Sequence, residues 1–224
     1  MTKHGTGLAA LALALAAGWL WPTPAAAQVL TRLENAVTVF DEATSGGDAS
    51  IPEDLLKKAE CVVIVPGLKK GAIGIGFKYG RGFVSCRSED GWSPPAGIRM
   101  EGGSYGFQIG GAEVDVILTV MNKRGVDRLL SSKFTLGADA SVAAGPVGRS
   151  ASAQTDAMMT AEILSWSRSR GIFAGIALGG STLRGDDDAN KDLYGKKVRV
   201  RDIVTGGLPA PAAASALLER LAKY

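Results

Sequence analysis

Histidine occurs once in the 224 residues, at position 4, inside a stretch that reads as a removable leader. Lys3 supplies a short positive start, Leu8 to Leu20 an apolar run, and Ala25-Ala26-Ala27 a small-residue cleavage site. Cleavage there starts the mature chain at Gln28 and leaves it without histidine. That excludes Ser-His-Asp and Cys-His catalysis and any His-ligated zinc or iron. Cysteine occurs only at 61 and 86, too few for a structural zinc site. In an oxidising compartment Cys61 and Cys86 are the candidate pair for a disulfide, with two buried free thiols as the alternative. Charge of one sign is also scarce. The net +3 falls to +2 without Lys3, which argues against a nucleic-acid partner.

Glycine, by contrast, is abundant, and its placement invites nucleotide and hydrolase readings. The stretch GAIGIGFKYGRG (71–82) fits neither the Walker loop nor the dinucleotide fingerprint. Gly102-Gly103-Ser104-Tyr105-Gly106 matches the G-x-S-x-G pattern, but no histidine base exists, so it reads as a glycine-rich turn. Asp186, Asp188 and Asn190 open like a calcium loop, yet Lys191 and Lys197 stand where Gly and Glu are required. A helix N-cap is the simpler reading. No metal, cofactor or catalytic residue is assigned, and the chain is not expected to be an enzyme.

Leu30, Leu33, Val37 and Phe40 recur at helical spacing and predict an amphipathic helix of about three turns. Ser50 and Glu53 form a capping-box pattern before a short helix ending near Ala59. Cys61 to Val65 reads as a strand buried on both faces. Ile73, Ile75, Phe77 and Tyr79 alternate with small residues and Lys78, giving a strand with one large apolar face and one nearly bare one. Tyr79 to Gly82 reads as a turn, and Phe83 to Arg87 as the returning strand. The device recurs at 105–110 and 172–179, as if something approaches the bare faces closely. Further strands are expected at 113–121, 161–168 and 198–204. Helices are expected at 124–131, 188–194 and from about Pro211, the last with Leu217, Leu218 and Leu221 on one face.

The fold class expected is α+β: one domain with a largely antiparallel, Gly-rich β-sheet, sandwich or barrel-like, flanked by N- and C-terminal helices. Its divisions are a leader (1–27), an N-terminal amphipathic helix and loop (28–49), a core (50–205) and a C-terminal helix (206–224). Within the core, Lys57, Lys58, Lys69, Lys70, Lys78, Arg81 and Arg87 fall close together, opposed mainly by Glu60. Such a cluster beside apolar surface suits anionic headgroups, about 1 kcal/mol per cation near a charged membrane. A solvated face is the plain alternative. Lys196, Lys197, Arg199 and Arg201 form a second basic run open to the same two readings.

Several blocks in order resemble the SYLF domain family. They include CVVIVPGLKK (61–70), GAIGIGFKYGRGFVSC (71–86), GGSYGFQIG (102–110), FTLGADASVAAGPVGR (134–149) and SWSRSRGIFAG (165–175). The resemblance covers about residues 50 to 205. It implies a non-enzymatic lipid-binding domain. Eukaryotic members bind phosphoinositides, while bacterial members are exported single-domain envelope proteins, the kind this chain looks like. It therefore implies an anionic phospholipid or membrane surface as partner, in the periplasm or outside the cell. The lipid contact of the family falls on an N-terminal segment matching the helix from Leu30 and the short helix ending at Lys57 and Lys58. Lys57, Lys58, Lys69, Lys70, Lys78 and Arg81 are accordingly the candidate lipid-binding residues. Self-association through the bare strand faces, without a lipid ligand, is the alternative.

Overall fold

The computed structural model describes residues 24–45, 47, 49–148, 160–169 and 171–224. The first 23 residues of the expected leader lie outside the described residues. Helix α1 (Pro24–Thr44) runs through the expected cleavage point, so it is longer than the three turns read from residue 30. Its buried stripe is Val29, Leu33, Ala36, Val39, Phe40 and Ala43, while Leu30 and Val37 sit at the stripe's margin.

Helix α2 (Glu53–Lys58) follows with Pro52 at its N-cap. The capping box does not form: Ser50 Oγ donates instead to the Gly47 carbonyl at 2.9 Å.

The sheet is built on one long ribbon. Strand β1 (Cys61–Ser88) pairs antiparallel with β3 (Ala96–Val120), from Val84↔Ala96 at the connection to Cys61↔Val120 at the far end. The short β2 (Gly91–Trp92) folds back on the end of β1. The expected turn at Tyr79–Gly82 is therefore continuous strand, and so is the Gly102–Gly106 segment read as a turn.

The ribbon doubles back on itself near residue 74. Gly71 lies against the Phe77 ring, and Gly80 against Leu68 and Val65. Gly82 sits on the Ile64 carbonyl, and Cys61 is disulfide-bonded to Cys86. At the bend, two steps along β1 (Ile73 to Ile75) face four along β3 (Ile109 to Tyr105). Extra residues on one strand of a pair bend it and increase its twist. What closes on Gly80 and Gly82, glycines of the expected turn, is thus the protein's own β1.

Each limb of the ribbon recruits further strands. The far part of β3 pairs with β6 (Ile163–Ser169), which carries β7 (Ile172–Gly175) and, in parallel, β5 (Val142–Ala144). The near part pairs with β8 (Ser181–Gly185), which carries β4 (Phe134–Thr135). The result is a curled, largely antiparallel eight-stranded sheet, a half-barrel. Val63, Val65, Ile98, Met100, Val116 and Leu118 fill its inside. Val62, Ile64, Phe83, Ile117 and Trp166 face the other way, against α1, α2 and the C-terminal α6 (Ser215–Leu221), whose Leu217 and Leu221 are buried. The first limb of β1 is therefore buried on both faces, as its continuous apolar run implies.

Three further α-helices lie among the described residues: α3 (Lys123–Leu129), α4 (Asp187–Tyr194) and α5 (Val200–Thr205). The last replaces the strand expected at 198–204. Its buried residues, Ile203 and Val204, with half-buried Val200, recur at i, i+3 and i+4, the spacing of a helical face rather than of an alternating strand.

Helix α4 is pinned by two residues of the calcium-like stretch. Asp186 caps it, accepting from Ala189 N at 3.3 Å, and buried Asn190 Oδ1 accepts from Gly97 N at 2.6 Å. Asn190→Ala would strand that buried N–H, so a loss of about 1–3 kcal/mol in denaturant unfolding is expected.

Candidate functional site

The basic residues gathered by sequence proximity fall into two places. Lys57 and Lys58 belong to α2, at the closed base of the ribbon. Lys57 Nζ lies 2.6 Å from Glu53 Oε1. Arg87 fastens this base: its Nε donates to Ala59 O at 2.8 Å, its Nη2 to Tyr224 O at 2.9 Å, and its guanidinium lies 4.6 Å from the centre of the Trp92 ring.

Lys69, Lys70 and Lys78 lie toward the other end, roughly 30 Å away along extended strand at about 3.3 Å per residue. Lys69 is exposed, and Lys70 and Lys78 are half-buried. Lys70 precedes the bend and Lys78 follows it, so folding the ribbon brings the two together. Burial, and then the neighbouring charge of Lys78, hold the Lys70 ammonium below its ordinary pKa. An anion placed between them would oppose both effects by favouring the charged ammonium.

Arg81 turns elsewhere. Its Nε donates to the Tyr79 hydroxyl at 2.9 Å and lies 3.3 Å from the buried carboxylate of Asp186. Its hydrogen bond to Tyr79 is the main cause raising its pKa. The guanidinium is thereby held against α4.

Phe77 and Tyr79 stand out on the same stretch of β1. They share one face of β1 and are 60% and 41% exposed, two of the three large apolar side chains exposed among the described residues. The alternation of Ile73, Ile75, Phe77 and Tyr79 announces an apolar face but not whether protein or solvent covers it. For Phe77 and Tyr79, solvent does.

The N-terminal helix offers no such surface. Its apolar stripe is buried against the sheet and α6 and is not exposed to an outside surface. Between α1 and the bulge at Pro66–Gly67 lies a cleft of about 530 Å³. Asp115 there accepts from Gly67 N at 2.9 Å and from Arg168 Nε at 2.8 Å, and Arg168 also pairs with Glu42, while Arg32 Nη1 is buried without an acceptor among the described residues. The described residues hold no cluster of three or more metal-ligating side chains. No described helix is long and apolar enough to cross a membrane.

A family model described as "Ysc84: Las17-binding protein actin regulator" matches residues 101–224. The human "SH3 domain-containing YSC84-like protein 1" is 34% identical over 189 residues, 83% of this chain and 55% of the relative. "LAS seventeen-binding protein 3" of Saccharomyces cerevisiae is 33% identical over 204 residues, 89% of this chain and 43% of the relative. The chain spans about half the length of the curated relatives it matches. No solved structure matches it.

Proposed function

The chain belongs to the Ysc84 (SYLF) family, and from that premise we propose that it is an exported, non-enzymatic protein that binds anionic phospholipid surfaces. The observation carrying this reading is the bend of the ribbon. There Phe77 and Tyr79 are exposed on one face of β1, close in the chain to exposed Lys69 and half-buried Lys70 and Lys78. Aromatic rings settle at the headgroup level of a bilayer, and lysines around them meet lipid phosphates. Relatives named for binding and for SH3 domains, rather than for a reaction, agree with a non-catalytic role. The leader-like residues 1–27 are the reason for placing it in the periplasm or outside the cell.

The test is flotation with phosphatidylcholine vesicles, with and without phosphatidylglycerol, at low and high salt. Binding to the anionic vesicles alone, weakened by salt, is expected. Lys70→Gln with Lys78→Gln should weaken it roughly thirtyfold, at about 1 kcal/mol per cation. Phe77→Ser with Tyr79→Ser should weaken it without restoring salt resistance. Lys57→Gln with Lys58→Gln should matter less, because that pair sits at the opposite end. If the Lys70 and Lys78 variant floats like the wild type, the bend is not the contact.

A further inference from the structure

A second concentration of charge forms around residues that the sequence scatters. Arg99 of β3 lies directly opposite Arg184 of β8 in the antiparallel register. Cross-strand partners project to the same face, and like charges placed so are destabilising. A single carboxylate answers both: Glu101 lies 2.9 Å from Arg99 Nε and 3.9 Å from Arg184 Nε. Those contacts are ionic only. Neither Nε is aligned for a hydrogen bond, and both atoms are buried without an acceptor among the described residues.

Above this pair lies a cleft of about 540 Å³, whose far wall is the start of α5 with Arg199 and Arg201. Ser131 and Ser132 line it beside them. Arg199 is engaged by Asp202 at 2.9 Å, whereas Arg201 makes no ion pair among the described residues. One carboxylate, Asp187, belongs to the lining, so positive charge dominates. Arg199 and Asp187 also line an adjoining hollow that Lys196 and Lys197 flank.

We infer that this cleft is a binding site for a phosphomonoester or polyphosphate anion, held by Arg99, Arg184 and Arg201. Four guanidiniums and no lysine in the lining fit a ligand with several oxygens of fixed geometry. Planar guanidinium forks meet phosphate oxygens in pairs, which lysine does not. The volume suits a small ligand. The site is separate from the bend and does not depend on the membrane reading. The anion comes either from a lipid headgroup with a terminal phosphate or from a soluble phosphate ester.

The experiment is calorimetric titration of the full chain with sodium pyrophosphate at constant ionic strength. Saturable binding is expected. Arg184→Gln should weaken it roughly tenfold to a hundredfold, the scale of a lost charge-assisted hydrogen bond. Arg184→Lys should fall short of restoring it. Arg201→Gln, at an exposed position, should weaken binding while leaving the ligand-free unfolding midpoint unchanged, which guards against a folding defect at Arg184. Lys70→Gln with Lys78→Gln should leave pyrophosphate affinity intact, so the two sites fail separately. Absence of saturable binding, or affinities within twofold of wild type in both arginine variants, overturns the inference. Flotation then names the source. A preference for phosphatidic acid over phosphatidylglycerol that pyrophosphate and Arg184→Gln both abolish supports the site with a lipid headgroup. Pyrophosphate binding without that preference supports it with a soluble ester.

Discussion

Gly82→Ala is expected to lower stability by at least about 3 kcal/mol, the upper part of the range for overpacking a core. A methyl at this position would fall on the Ile64 carbonyl oxygen, with the Val65 Cα 2.8 Å away. Neither obstacle is a side chain that can rotate aside. Both belong to the opposite limb of β1, which the ladder with β3 holds at Ile64↔Ile117 and Val65↔Val116. Relief would need the two limbs to separate, and the inside core lies between them. Gly111→Ala is the control: it lies in the same ribbon, but its nearest neighbour would be 3.8 Å away. A change within about 0.5 kcal/mol is expected there. Denaturant midpoints for the two variants decide the matter. Equal midpoints would mean that the limbs do not cross at Gly82.

Reduction of the Cys61–Cys86 bond is expected to cost about 3.5 kcal/mol, from the chain entropy released when a loop of this length opens. The sequence separation is 25, and both cysteines are buried. The measurement is urea unfolding with and without reductant, repeated on the Cys61→Ala, Cys86→Ala double variant. Reduced protein should still fold, because Arg87 N donates to Glu60 O at 2.7 Å and the Arg87 guanidinium ties α2 to the C-terminus at the same base. An unchanged midpoint would show that those hydrogen bonds close the base without the disulfide.

Local patterns were legible where neighbours in sequence decide the outcome. The apolar run at Cys61–Val65, the strand β6, the helices α3 and α4, and the Leu217–Leu221 face of α6 follow from periodicity and capping. Tyr79 to Gly82 was not legible in the same way. Its glycines look like turn punctuation, yet they are required because the opposite limb passes over them, a contact about eighteen residues distant for Gly82 and Ile64. The small residues at 137–148 have a similar cause: Gly145 lies against the Trp166 ring, whose Nε1 donates to Pro146 O at 2.9 Å. The site was half legible. The lysines of the bend were visible as a charge cluster, but Lys57 and Lys58 entered it only through nearness in sequence. Arg99 and Arg184 stand 85 positions apart, and nothing short of the β3–β8 register joins them.

The doubled ribbon also dictates an order of assembly. Its rungs join residues ever further apart in sequence, from Arg87↔Trp92 and Val84↔Ala96 at the connection to Cys61↔Val120 at the other end. Loop-closure entropy favours the near rungs first, and topologies dominated by distant pairings form slowly. The connection, where Gly91 takes a φ of 114°, is therefore the natural starting point, with pairing advancing away from it like a zip. Strands β6 and β8 have no docking edge until their stretches of β3 are paired, and the limbs cannot cross until both exist. On the same scale the Cys61–Cys86 contact, 25 positions apart, ranks beside the Lys78↔Gly102 rung and well before Cys61↔Val120, so the bond closes the base of the ribbon ahead of its last rungs.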